Sequence, residues 1–182
     1  MTRRYPIIHA RRPIRGHTPH GEEVDLEFQN GERRTYRRML MSGFGAVYVV
    51  ALEDPETVLL IREYSCGMDH YELGPVKGRI DEGEHPLETA NRELMEEIGF
   101  GAKKLDHIRK ISLNPNYMTH AADLVIARDL YPASMEGDEP ETLEIVRWPL
   151  AKLEDLLLRD DVTDGRAIAA LFTAREWLAR NP

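Results

Sequence analysis

The chain has 182 residues, 42% of them hydrophobic, and a formal charge of −8. That length makes one domain with room for a small appendage, and the apolar content suffices for a core. The carboxylate excess argues against a general nucleic-acid binder, and the longest apolar run, Ala46 to Leu52, is far too short to cross a membrane.

The predicted elements begin with a β-rich extension over residues 1–42, ahead of a main domain over residues 43–182. In the extension Val24, Leu26 and Phe28 alternate with polar residues, which is strand period. Asn30-Gly31 is a hairpin turn signal, and Glu32 to Met41 reads as the returning strand. Its arginines (Arg33, Arg34, Arg37, Arg38) read as a solvated strand face. The opening Met-Thr-Arg-Arg-Tyr-Pro is not followed by the apolar core of a signal peptide. The single cysteine, Cys66, permits no internal disulfide. Both observations lead us to expect a cytoplasmic protein.

Ala46 to Leu52 and Thr57 to Arg62 form a second predicted strand pair, joined across Asp54-Pro55. Tyr71 to Leu73 is a short strand leading into a loop, Gly74 to Gly78. A helix follows. Pro86 suits its first position, where the missing N–H costs nothing. Gly99 suits its end, where positive φ is needed. Between them Leu87, Ala90, Leu94 and Ile98 draw one apolar stripe at spacings of three and four. Further strands are predicted at His107 to Ser112, Asp123 to Ala127 and Ile145 to Trp148, the last preceded by an acidic loop from Glu136 to Glu144. Pro149 opens a helix to about Leu158. The last helix, about Arg166 to Ala179, offers Ile168, Leu171, Phe172 and Leu178 to the core. Alternating strands and helices with antiparallel hairpins predict an α/β layered domain.

The central helix carries an unusual charge pattern. Glu93 and Glu97 are four apart and stack on one face, with Glu96 on the same side and Glu84 in the loop entering the helix. Like charges at such spacing destabilise a helix by roughly 0.2–0.5 kcal/mol per pair. A hard divalent cation with oxygen ligands would remove the repulsion. It would also reconcile an acidic protein with an anionic substrate.

Gly78, Glu84, Arg92, Glu93, Leu94, Glu96, Glu97, Gly99 and Phe100 fill every specified position of the pattern G-x5-E-x7-R-E-U-x-E-E-x-G-U, where U is apolar. At ordinary residue frequencies a chance match has odds on the order of 10⁻⁷. By this box the chain resembles the Nudix superfamily. Ile61-Arg-Glu-Tyr, Tyr71-Glu-Leu-Gly and Glu136-Gly-Asp-Glu-Pro-Glu extend the resemblance to the ADP-ribose pyrophosphatase branch. The resemblance implies an α/β/α sandwich with a mixed sheet, plus the small N-terminal β extension. It also implies Mg²⁺-dependent cleavage of ADP-ribose, NADH and short diadenosine polyphosphates with AMP as a product, Mn²⁺ serving as a substitute.

Carried over residue by residue, Glu93 and Glu97 are expected as the principal metal ligands. Glu96 would be a further or bridging ligand, Glu84 an auxiliary one, and the Lys77 carbonyl another. Arg92 is expected to hold the box carboxylates, with Glu84 and Glu96 as its partners. The branch keeps its catalytic carboxylate on a loop before a late strand, where Glu139 matches best, with Glu141 and Glu136 behind it. Arg62, Pro115 and Tyr117 are the candidate substrate contacts, although Arg62 also reads as a strand-end residue and Pro115 as part of an Asn-Pro-Asn turn. The expected partners are a small-molecule nucleotide and a second copy of the chain in a homodimer, with neither nucleic acid nor membrane. Two other functions stay open: a nucleotide sensor that does not turn its ligand over, and a hydrolase of another nucleoside diphosphate derivative.

Overall fold

The structure is a computed structural model and describes residues 20–41 and 43–181; the predicted extension before residue 20 lies outside them. By its contacts the chain divides into two compact units. Among the described residues, 20–41 join Asn114–His120 in the first, and Gly43–Leu113 with 121–181 make the second.

In the first unit β1 (His20–Glu27) pairs antiparallel with β2 (Arg33–Leu40). Gly31, at φ 80°, turns the chain between them, as Asn30-Gly31 predicts. Cross-strand ion pairs lace the exposed arginines, with Arg37 and Arg38 on Glu23 and Glu22. The Met39 amide donates to the Tyr117 carbonyl at 2.7 Å, which ties in residues 114–120.

The second unit is a mixed seven-stranded sheet covered on both faces. It comprises β3 (Ala46–Asp54), β4 (Thr57–Ser65), β5 (His70–Gly74), β6 (Val76–Arg79), β7 (Phe100–Ser112), β8 (Ala121–Pro132) and β9 (Glu144–Pro149). The order β5-β4-β3-β8-β7 is extended by β6 on β3 and β9 on β4. Only β3 and β8 pair in parallel. Strand period sorts the core into two halves. Val47, Val49, Leu59, Ile61 and Val125 face α1 (Pro86–Glu97), where Ala90 and Leu94 are fully buried. Tyr48, Val50, Leu60, Leu124 and Ile126 face the other layer. That layer is a 3-10 helix (Leu150–Leu158) and α2 (Gly165–Arg180).

Several elements depart from their sequence reading. The expected loop at Gly74–Gly78 overlaps β6, whose pairing with β3 no local pattern reveals. The helix opened by Pro149 is a 3-10 helix kinked at Lys152. The buried face of α2 is Ala167, Ala170, Leu171 and Ala174, with Ile168, Phe172 and Leu178 only partly covered. Small side chains let α2 lie close on the sheet. Trp148 and Trp177 sit at the margin of the core.

Candidate active site

Helix α1 is fixed at both ends. His85 is its N-cap: Nδ1 accepts the Leu87 amide at 3.3 Å, while the Glu88 carboxylate accepts the His85 amide at 2.9 Å. This capping box satisfies two of the amides a helix start leaves unpaired. At the far end Gly99 takes φ 73°, the left-handed turn its position predicts. One face of α1 packs into the core, so Glu93, Glu96 and Glu97 are presented toward β6 and the loop after β8.

Gly78 lies in β6 opposite Val47. A Cβ there would overlap the carboxyl carbon and both oxygens of Glu93. The box glycine is therefore a matter of space: only a bare Cα lets the Glu93 carboxylate rest against the strand. The next residue back, Lys77, offers its amide to Glu97 Oε2 at 3.4 Å, and its ammonium pairs with Glu63.

Arg92 gathers the box. Its guanidinium donates to Glu84 at 2.9 and 3.1 Å, Glu93 at 2.8 Å, Glu96 at 2.9 Å and the Arg79 carbonyl at 3.0 Å. Glu84 and Glu96 are the partners its spacing suggests; Glu93 is additional. Glu84 also accepts from the Thr89 hydroxyl at 2.7 Å. The Arg92 hydrogen bonds, helped by Thr89, pull the Glu84 carboxyl down to about 2. Glu93 and Glu97 move the other way. Burial pushes Glu93 up to about 7, with Glu96 and Glu139 adding to the rise against Arg92. Burial pushes Glu97 up to about 9, opposed by Lys77 and reinforced by Glu63, Glu93 and Glu139.

Glu63, Lys77, Arg92, Glu93, Glu96 and Glu97 line a cleft of about 600 Å³ together with Arg79, Asp81 and Glu136–Glu139 of the loop after β8, and Glu84 is not part of its lining. Glu139 is half-buried, and a Cβ on Gly137 would overlap its carboxylate. Glu136 and Asp138 line the same cleft but are exposed. Glu141 does not line it; its carboxylate accepts the Tyr71 hydroxyl at 2.7 Å. Of the three loop glutamates read from the sequence, Glu139 is the one turned in among the box carboxylates.

Arg62 is elsewhere. It follows Ile61 on β4, and strand alternation turns it to the α2 side, where it pairs with Asp161 and with Glu144 at 3.3 Å. It lines neither this cleft nor the neighbouring one. Its neighbour Glu63 points into the carboxylate cleft instead, and sequence reading passed it over although the period of β4 was sufficient to find it. Pro115 and Tyr117 belong to the first unit, where the Asn114 carbonyl accepts the Tyr117 and Met118 amides.

Among the described residues no three carboxylate, imidazole or thiol groups already stand as a finished cation cage. The donor set nevertheless suits Mg²⁺. It is all oxygen. Two of its carboxylates are destabilised by burial and mutual repulsion, and the space against Gly78 keeps Glu93 beside the strand. Arg92 now supplies the positive charge for three of the carboxylates.

Residues 44–172 match the NUDIX domain family. The α/β/α architecture and the arginine-gathered carboxylates agree with that match, and the chain belongs to the Nudix family. It is 52% identical over 157 residues to ADP compounds hydrolase NudE of Escherichia coli (strain K12), covering 86% of this chain and 84% of that protein. It is 28% identical over 149 residues to an ADP-ribose pyrophosphatase of Bacillus subtilis (strain 168), covering 81% and 80%. A crystal structure of an ADP compounds hydrolase superposes with a TM-score of 0.80 at 47% identity, covering 98% of this chain and 96% of that one.

Proposed function

We propose that the protein is a Mg²⁺-dependent pyrophosphohydrolase that cleaves the diphosphate linkage of ADP compounds (ADP-ribose, NADH and short diadenosine polyphosphates) and releases AMP. The observation that carries this reading is the convergence of Glu93, Glu96, Glu97 and Glu139 in one cleft, beside a glycine that leaves room for Glu93. The similarity to ADP compounds hydrolase NudE supports the substrate class.

Glu93 and Glu97 would be the principal holders of the metal, with Glu96 and the Lys77 carbonyl beside them and Glu84 as an auxiliary. Bound there, Mg²⁺ would neutralise the diphosphate oxygens and make a water easier to deprotonate. Arg92 fixes the three carboxylates it touches in one arrangement, so that little reorganisation is needed when substrate enters. Glu139 would orient the attacking water and take a proton from it. Lys77, through its ammonium, is a cation at the cleft edge that partly offsets the charge around Glu97. A homodimer is part of the same proposal. The β1–β2 pair leaves Leu26, Phe28 and Tyr36 exposed, and a two-stranded sheet is marginal by itself; light scattering would give the mass.

The test is product analysis after incubation with ADP-ribose, NADH and diadenosine triphosphate, with and without Mg²⁺. Metal-dependent AMP release is expected. Tight ADP-ribose binding without turnover would favour a sensor, and products lacking AMP would point to another diphosphate.

A further inference from the structure

The loop that carries Glu139 is held at both ends. At its start the Ala133 amide donates to the Gly99 carbonyl and the Met135 amide to the Met95 carbonyl, both at 3.1 Å. These bonds fasten the N-terminal stem to the end of α1. At its far end Leu143 is buried in the core on the α1 side, and two further side chains are tethered. The Tyr71 hydroxyl donates to Glu141 at 2.7 Å, and Arg62 pairs with Glu144 at 3.3 Å. Glu139 lies between these anchors, two residues from Glu141.

Tyr71 is a firm post for such an anchor. It is 7% exposed, in β5, with its ring edge-on to Tyr64 at 5.5 Å between centroids. Its position is set by the sheet and by ring packing. Glu141 is exposed and belongs to a stretch, residues 133–143, without regular secondary structure. A loop of this kind has no ladder of backbone bonds to define where its tip stands. Its geometry comes from its few tethers, and of these the Tyr71–Glu141 bond lies closest in sequence to Glu139 on the outgoing side. The bond is to a charged acceptor, which places it among the stronger kinds.

We propose that Tyr71 and Glu141 are positioning residues: their hydrogen bond is a latch that sets where the Glu139 carboxylate stands over the box carboxylates. Arg62 serves the same end one step further out, through Glu144. This gives a use to a carboxylate that sequence reading had as a candidate base, and to an arginine it had as a substrate contact. The proposal rests on the assignment of Glu139 as the group acting on water.

The experiment uses the full-length protein and three substitutions, Tyr71→Phe, Glu141→Gln and Glu141→Ala, with Tyr71→Phe/Glu141→Ala as a double variant. Phenylalanine keeps the buried ring and removes only the hydroxyl. Two readouts are taken: amide hydrogen exchange of residues 136–143, and kcat and KM for Mg²⁺-dependent AMP release from ADP-ribose. The expected result is faster exchange in the loop with unchanged protection of α1. A fall in kcat on the order of tenfold is expected, since small misplacements of a reacting group are costly, with KM within about twofold. Glu141→Gln, which retains an oxygen acceptor, should lose less than Glu141→Ala. The double variant should be no worse than the worse single one, because one bond is broken in each.

Wild-type exchange in Tyr71→Phe and Glu141→Ala would overturn the latch. So would faster exchange with wild-type kcat, provided Glu139→Gln, run alongside, is inactive. Full activity in Glu139→Gln would remove both the reading of Glu139 and the proposal resting on it, which separates that failure from the failure of the latch alone.

Discussion

Replacing Gly78 by alanine puts the geometry of the site under direct strain. The added methyl would overlap the carboxyl group of Glu93. For ordinary van der Waals separation the carboxylate must retreat by roughly 1–2 Å. It cannot do so and keep the 2.8 Å bond to Arg92 intact. The backbone has no objection: Gly78 is not among the glycines with positive φ, and it lies in a paired strand. Every obstructing atom belongs to the tip of one side chain. A changed rotamer costs about 1 kcal/mol, and the loss of a charged hydrogen bond about 1.5–3 kcal/mol before solvent screening. Removing a glycine from the unfolded chain returns about 0.4–1 kcal/mol. The net loss is about 2 kcal/mol, or a Tm lower by about 4–8 °C for a chain of this size. Activity should suffer far more, since a 1 Å misplacement of a catalytic group costs on the order of 100-fold. The assay pairs thermal unfolding by circular dichroism with AMP release from ADP-ribose. Gly101→Ala is the control: its methyl would meet the Tyr131 ring, outside the cleft, and should cost stability without the loss of kcat. A folded Gly78→Ala protein with wild-type kcat would refute the reasoning, because Glu93 could then move without consequence.

Other consequences are as concrete. Arg92→Lys keeps the charge but cannot hold three carboxylates with one fork; kcat should fall about 10–100-fold and the Mg²⁺ concentration for half-maximal rate should rise. Leu94, fully buried against the sheet, should cost about 2–5 kcal/mol as Leu94→Ala in a urea titration. Hydrogen bonds from Arg159 and Arg62 hold the Asp161 carboxyl down at about 2. A folded-state value below the unfolded one stabilises the protein above about pH 4, and that stabilisation is lost as pH falls toward 2. It should amount to about 1–2 kcal/mol after screening. The stability gap between wild type and Asp161→Asn should therefore close between pH 5 and pH 2; a gap independent of pH would contradict it.

The box helix was legible because three signals coincide there: a stripe of period 3.6, a proline at the start and a glycine at the end. Strand β2 was legible nearly whole, as Glu32 to Met41 against Arg33–Leu40, and most other strands in part. β7 and β8 run over Phe100–Ser112 and Ala121–Pro132, well past the segments His107 to Ser112 and Asp123 to Ala127, since the added residues are held by the pairing of the two strands. β6 was hidden because its partner is about thirty residues back in sequence and its glycine imitates a turn. The Arg92–Glu93 bond could not be read from spacing, as adjacent helical residues do not face one another; two long side chains bend together over Gly78. Glu63 was missed for the opposite reason, since the alternation that buries Ile61 beside α1 also delivers Glu63 to the cleft. The role of His85 as a helix cap needed Glu88 to be seen at the third helical position.

The central claim is that the carboxylates gathered on α1 form a metal-dependent hydrolytic centre for ADP compounds. The rate of AMP release from ADP-ribose as a function of Mg²⁺, in wild type and in Glu97→Gln, tests it most directly. Saturable activation by Mg²⁺, with kcat lower by about 100-fold or more in the variant while the fold and Tm persist, is the predicted result. Equal turnover with and without Mg²⁺, or a Glu97→Gln protein as active as wild type, would contradict it.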